Sequence, residues 1–192
     1  MRRAVGQGAS TLLLFGTCGA LVEVGPVPMI GSVRDVSGRT WTPTVVPPPV
    51  GGGHGAVTAS VVGVDHPVGT PSAKADLHAR TGADLVDCES HVFAQACAHA
   101  GVRWGVIRAV SDGPGDELAE GIETWVTPDG RTRLGRVLWA CVRSPTTVVS
   151  LLKLARRSGA ALRLAAQTLA TVVGERSSSG DHTRSIVRGA PA

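Results

Sequence analysis

An α/β fold, with a mainly parallel or mixed central sheet flanked by helices, is predicted by three features of this 192-residue chain. Short β-branched segments alternate with segments of helical periodicity. The chain holds 43% hydrophobic residues but only 3% aromatics and no Tyr, so its core must be built from Val, Leu and Ala, as in a helix-covered sheet. Three polar or Gly-rich segments, GTCGAL, DCES and SDGPGD, each follow a predicted strand. In such folds, ligands bind beyond the C-terminal ends of strands. A chain of this length suffices for one domain with a real core, burying roughly 70% of the surface exposed on unfolding.

The elements follow in order. Thr11 to Phe15 reads as a core strand entering a Gly-rich turn, Gly16-Thr17-Cys18-Gly19-Ala20. The rival reading is a secretory signal opened by Met1-Arg2-Arg3; against it, the apolar run is short, broken by Gly16 and Gly19, and soon followed by Glu23. Residues 22–36 alternate weakly. Pro43 to Gly55, with three prolines and three glycines in succession, reads as an exposed loop. His54 within it faces solvent or reaches a neighbouring copy's pocket. Val57 to Val64 is a β-branched strand. Ser72 is a plausible N-cap for a helix over Ala73 to Thr81, closed by Gly82. Ala83 to Val86 leads into DCES. His91 to Ala100 is helical, with Val92, Ala96 and Cys97 at core spacing and Gly101 after it. Trp104 to Val110 is a strand ending at Ser111-Asp112, before the turn Gly113-Pro114-Gly115. Helices are expected over Leu134 to Arg143, Thr146 to Arg157 and Ala160 to Val173. The organisation is thus a short N-terminal remnant (1–10), one domain (11–174) and a Ser-, Gly- and Arg-rich tail expected to be disordered (175–192).

The net charge of +4 concentrates in the C-terminal third, where Arg131, Arg133, Arg136, Arg143, Lys153, Arg156, Arg157 and Arg163 fall. A single aromatic, Trp139, falls among them, too few for a stacking platform, so they read as solvated helix faces and no nucleic-acid partner is expected. The four cysteines, Cys18, Cys88, Cys97 and Cys141, form no CxxC pair and accompany no His cluster. No metal site or disulfide framework is expected; they read as buried free thiols in a reducing cytoplasm. No segment reaches the roughly 18 apolar residues of a membrane span.

The strand exits carry the chemistry. Asp112, held on a tight turn beyond a strand, can exchange a proton with a ligand, or serve as an Asx turn. Glu89 stands between a strand and a helix start. A carboxylate there can accept two hydrogen bonds from a vicinal diol, as in ribose, or simply complement the helix dipole. Gly16, Thr17 and Gly19 offer backbone N–H groups and a hydroxyl to polar ligand atoms, or form a structural turn.

In order and content these segments resemble the purine nucleoside phosphorylase and methylthioadenosine/S-adenosylhomocysteine nucleosidase superfamily. The resemblance covers roughly residues 10–120. It is carried by GTCGAL followed by VEVGPV, and above all by TGADLVDCESHVFAQACAHAGVRWGVIRAVSD. It implies that Glu89 holds the ribose 2′- and 3′-hydroxyls and that Asp112 protonates or hydrogen-bonds purine N7. Ser111 joins Asp112 at the substrate, Thr17 faces the ribosyl–phosphate or water region with Gly16 and Gly19 beside it, and Arg108 supports a carboxylate from behind. Cys88 stands where the family commonly has a Met against the sugar. No cofactor is implied beyond phosphate as a possible co-substrate. The partner would be a purine nucleoside or adenosyl compound in the cytoplasm, no membrane partner is expected, and the protein would be a homo-oligomer.

Two departures qualify this. The family places on the order of 70 residues, roughly two βα units, before the GTCGAL-like turn. Here ten precede Thr11, so the expectation is that Met1 is internal to a longer protein; a degenerate, catalytically silent scaffold or a partner chain are the alternatives. After Asp112, the stretch GPGDELAEGIETWVTPDGRTRLGRVLWACVRSP resembles phosphorylase-like proteins linked to hopanoid synthesis. That likeness implies adenine removal from an adenosylated lipid precursor, with Trp125 and Trp139 lining a channel or merely filling core.

Overall fold

A computed structural model describes residues 9–47 and 58–118, together with residues 156, 159–160, 162–163, 165–170 and 187–189. Among the described residues seven strands form one mixed sheet: β1 (Thr11–Ala20), β2 (Met29–Asp35), β3 (Thr40–Trp41), β4 (Thr58–Gly63), β5 (Leu85–Asp87), β6 (Arg103–Asp112) and β7 (Val187–Gly189). Their order is β3-β2-β4-β5-β1-β6, with β7 alongside β1. Strand β1 runs parallel to β6 and antiparallel to β5, while β4 runs parallel to both β2 and β5. A further antiparallel contact, Met29 with Ile107, joins β2 to β6 and brings the sheet's two sides together. The predicted α/β class, mixed sheet included, is what the chain adopts.

Apolar burial explains the layers. Helix α2 (Ser90–Ala100) lays Ala94 and Cys97 on a cluster that includes Val33, Val61, Leu85 and Val106. Helix α1 (Pro71–Thr81) contributes Leu77 to a second cluster with Val62, Val64 and Val86. The helical residues 165–170 bring Ala165 and Leu169 against Ile107, Ala109 and Phe15.

Both helices end on glycines with positive φ, Gly82 (63°) and Gly101 (62°), where any side chain would be strained. Their starts differ from the sequence expectation. Thr70, not Ser72, caps α1; its Oγ1 accepts from the Ala73 N–H at 3.3 Å, and Pro71 takes the first helical turn, where no N–H is needed. At α2, Asp87 performs the capping, its Oδ1 accepting from the N–H groups of Ser90 (3.0 Å) and Glu89 (3.3 Å).

Other expectations are corrected. GTCGA is not a turn: it continues β1 to Ala20, paired with β6 as far as Gly19 across one register shift after Cys18. Val92 is 57% exposed and not core; Cys97 is buried as its spacing suggests, and Ala94 faces inward beside it. Pro43 and Pro47 are buried, and the Thr44 and Val45 N–H groups both donate to the Trp104 carbonyl, at 3.0 and 2.9 Å. That part of the Pro-rich stretch is therefore anchored through Pro43 and Pro47, while Thr44 and Val46 stay exposed. Cys88 is exposed, unlike Cys18 and Cys97. Val187–Gly189 pairs with Leu13–Phe15 as β7, where composition alone suggests disorder. Residues 1–8, His54, Trp125, Trp139, Cys141 and the predicted helix over Leu134 to Arg143 lie outside the described residues. Among the described residues no helix is long and apolar enough to cross a membrane.

Candidate functional site

The C-terminal ends of β5 and β6 flank β1: Gly19 pairs with Val86 on one side and with Asp112 on the other. Neighbouring strands lie about 4.8 Å apart, so the two flanking backbones are roughly 10 Å apart. The cleft above them has a volume of about 260 Å³, near the lower limit of the ~300–1,000 Å³ usual for small-molecule pockets. Thr17, Cys18 and Gly19 form its floor; Asp87, Cys88, Glu89 and the Arg108 side chain line one side, Ser111 and Asp112 the other, and Val64, Pro67, Val68 and Leu118 add apolar wall. Among the described residues singled out for the site from the sequence, all but Gly16 line it.

Gly16 sits behind the wall. A Cβ there would collide with the Arg108 guanidinium, which crosses the strand at that point. Glycine within a strand often marks such a close approach. Gly19 is similar, since a Cβ would stand 2.9 Å from Asp112 Oδ2 and 3.2 Å from Val86.

On the Glu89 side, Arg108 is the organiser. Its side chain is 2% exposed. Nη2 lies 2.6 Å from Asp87 Oδ2 and 3.6 Å from Glu89 Oε2. Nε and Nη2 also donate to Ser90 Oγ, and the Ser90 hydroxyl donates to Asp87 Oδ2. Because Asp87 takes both the arginine and the helix cap, the Glu89 side chain stays 56% exposed and available to a ligand.

On the Asp112 side, β6 carries an extra residue. Cys18 pairs with Val110 and Gly19 with Asp112, leaving Ser111 as a bulge. Bulges re-aim side chains and are common beside active sites. The single Ser111 hydroxyl hydrogen has two acceptors, Asp112 Oδ1 at 2.7 Å and the Cys18 carbonyl at 3.0 Å. Asp112 Oδ2 receives the ammonium of Lys74 at 2.5 Å. Lys74 is fully buried and also donates to the carbonyls of Gly113 (2.7 Å) and Asp116 (3.1 Å).

Loss of hydration around the sulfur, with the Asp87 and Glu89 carboxylates adding to it, pushes the Cys88 thiol up to about 11. It is a neutral apolar contact at neutral pH and a poor nucleophile. Burial pushes the Cys18 thiol higher still.

Lys74 and Asp87 escaped the sequence reading. Asp87 left a signal: an Asp just before a helical run readily accepts from the N–H groups two and three residues on. Lys74 left only its spacing of three from Leu77, the one other buried residue of α1. Among the described residues no group of three His, Cys, Asp or Glu side chains is placed to hold a metal.

The fold is that of nucleosidases. The Helicobacter pylori futalosine hydrolase superimposes with a TM-score of 0.60 at 13% identity, over 90% of this chain and 71% of that one. The 5′-methylthioadenosine/S-adenosylhomocysteine nucleosidase of the same organism, solved with butyl-thio-DADMe-Immucillin-A, gives 0.59 at 13% identity over the same shares. The Arabidopsis thaliana 5′-methylthioadenosine nucleosidase gives 0.57 at 15% identity, over 90% of this chain and 66% of its own. This chain therefore spans about two thirds of their length. At the level of family, residues 52–143 match the phosphorylase superfamily, a stretch that contains TGADLVDCESHVFAQACAHAGVRWGVIRAVSD, on which the resemblance mainly rests, but not GTCGAL. No curated protein matches the chain.

Proposed function

We propose that this chain cleaves the N-glycosidic bond of a purine nucleoside or a derivative of one, releasing an adenine-type base. One observation carries the reading: two carboxylates from separate strand exits, Glu89 and Asp112, border one small cleft together with Thr17, Cys88 and Ser111. Glu89, exposed and steadied by Arg108, suits the vicinal diol of a ribose. Asp112, backed by Ser111 and Lys74, suits the imidazole edge of the base. Cys88 packs against the sugar.

In the reaction, the C1′–N9 bond breaks with its electron pair passing to the base, and N7 takes a proton that Asp112 relays from solvent. Water or phosphate supplies the oxygen that bonds to C1′, and Thr17 faces that region. A positioned acid on the leaving group contributes typically 10²–10⁴-fold.

The test is adenine release from adenosine-type nucleosides, with and without phosphate, by the chain and by a version extended upstream in frame. Asp112→Asn should slow release by at least about 10²-fold. Equal turnover by that variant would remove Asp112 from the chemistry.

A further inference from the structure

Asp112 is paired with an ammonium, and a carboxylate so paired has no hydrogen of its own to hand to a base. Two donors touch it: the Ser111 hydroxyl, 2.7 Å from Oδ1, and the Lys74 ammonium, 2.5 Å from Oδ2. Of these only the ammonium is acid enough to give a proton up. Oδ2 also reaches the cleft, since a Cβ on Gly19, in the cleft floor, would stand 2.9 Å from it. One oxygen thus lies between a buried proton source and the space a base would fill.

We infer that Lys74 is the store from which Asp112 draws the proton it gives to N7, an inference that rests on the placement of the base at Asp112 proposed above. One hydrogen of Lys74 Nζ passes to Asp112 Oδ2, turns about the C–O bond towards the cleft, and passes to N7 as the C1′–N9 bond breaks. Lys74 is left as the neutral amine and Asp112 as the carboxylate, and the base departs uncharged. A proton from solvent then enters through Asp112 and returns to Lys74, ready for the next cycle. Lys74 touches no substrate and acts only through Asp112. Burial makes the transfer feasible. The Lys74 and Asp112 side chains are 0% and 7% exposed, and loss of hydration penalises two charges far more than a neutral amine and acid. The surroundings suit both forms of the nitrogen. The ammonium has three donors for Asp112 and the carbonyls of Gly113 (2.7 Å) and Asp116 (3.1 Å). The amine keeps two donors for the carbonyls and turns its lone pair to Asp112.

Cleavage of adenosine and of p-nitrophenyl riboside, whose leaving group departs without a proton, tests this on the full chain and on its upstream-extended version. Lys74→Met should slow adenosine cleavage at least about 10²-fold, the usual effect of losing a proton delivered to a leaving group. Its cleavage of p-nitrophenyl riboside should change by less than about threefold. Lys74→Arg keeps charge and donors, but a guanidinium does not release a proton, so it should be as slow on adenosine as the methionine variant. Recovery of adenosine cleavage in Lys74→Arg would mean that only the charge matters, and equal slowing of both substrates would mark a structural lysine. Either result overturns the inference, as does unchanged adenosine cleavage in Lys74→Met. Should circular dichroism show Lys74→Met unfolded, Lys74→Gln, with an amide to meet the carbonyls and no proton to give, takes its place under the same expectations. The wild type tests the underlying reading separately: if it cleaves neither substrate, or p-nitrophenyl riboside alone, the proposed function fails and the inference falls with it.

Discussion

The guanidinium of Arg108 occupies the space that a side chain at position 16 would need. Two residues that are distant in sequence but paired across β1 and β6 thus define one another: the strand is bare at Gly16 because the arginine passes over it. Gly16→Ala should displace Arg108 from Asp87 and destabilise the fold by about 1–3 kcal/mol, the usual cost of overpacking. Urea denaturation checks this, and a stability equal to wild type would show that Arg108 can relocate freely.

The Asp87–Arg108 pair makes a separate prediction. Asp87→Ala strands a buried guanidinium, which costs about 3–5 kcal/mol, and removes the cap of α2, worth about 1 kcal/mol more. Asp87→Asn keeps a cap acceptor and should cost less than the alanine. If the two variants melt alike, the carboxylate charge contributes nothing.

Glu89 is assigned to the sugar. Glu89→Gln should weaken adenosine binding about tenfold or more, as expected for losing a charge-assisted hydrogen bond, while 2′-deoxyadenosine, which lacks one partner hydroxyl, should lose less. A full preference for the 2′-hydroxyl in the variant would move the ribose elsewhere.

Cys88 gives a pH-dependent readout. Only the thiolate reacts with iodoacetamide, and the thiol is pushed up to about 11. Alkylation at Cys88 should therefore keep rising with pH through the range from 8 to roughly 10, with no plateau, because the reactive fraction grows about tenfold per pH unit below the midpoint. Mass spectrometry of the modified peptide would show it; a rate that bends over near pH 9 and levels off by about pH 10 would mean an unperturbed thiol.

The sequence was most informative where chemistry and local structure coincide. The strand exits at DCES and SDGPGD were legible because an acidic residue follows a β-branched run. GTCGAL misled because glycine usually punctuates turns, whereas Gly16 and Gly19 stay in strand to admit Arg108 and lie beside Asp112. Those partners are more than ninety residues away, beyond any local pattern. Lys74 was invisible for a related reason. A lysine in an otherwise polar helix looks solvated, and only the tertiary position of Asp112 turns it inward. Val92 failed in the opposite direction: hydrophobic at helical spacing, it nonetheless faces out.

The doubled pairing of Gly19, to Val86 and to Asp112, works as a ruler made of main chain. The span between the two acid-bearing walls is two inter-strand steps, and no exchange of side chains can stretch it without tearing hydrogen bonds out of the sheet. Enlarging the ligand range of this scaffold by engineering should therefore begin at Pro67, Val68 and Leu118 on the rim, where the chain is outside the ladder and length can change at little cost.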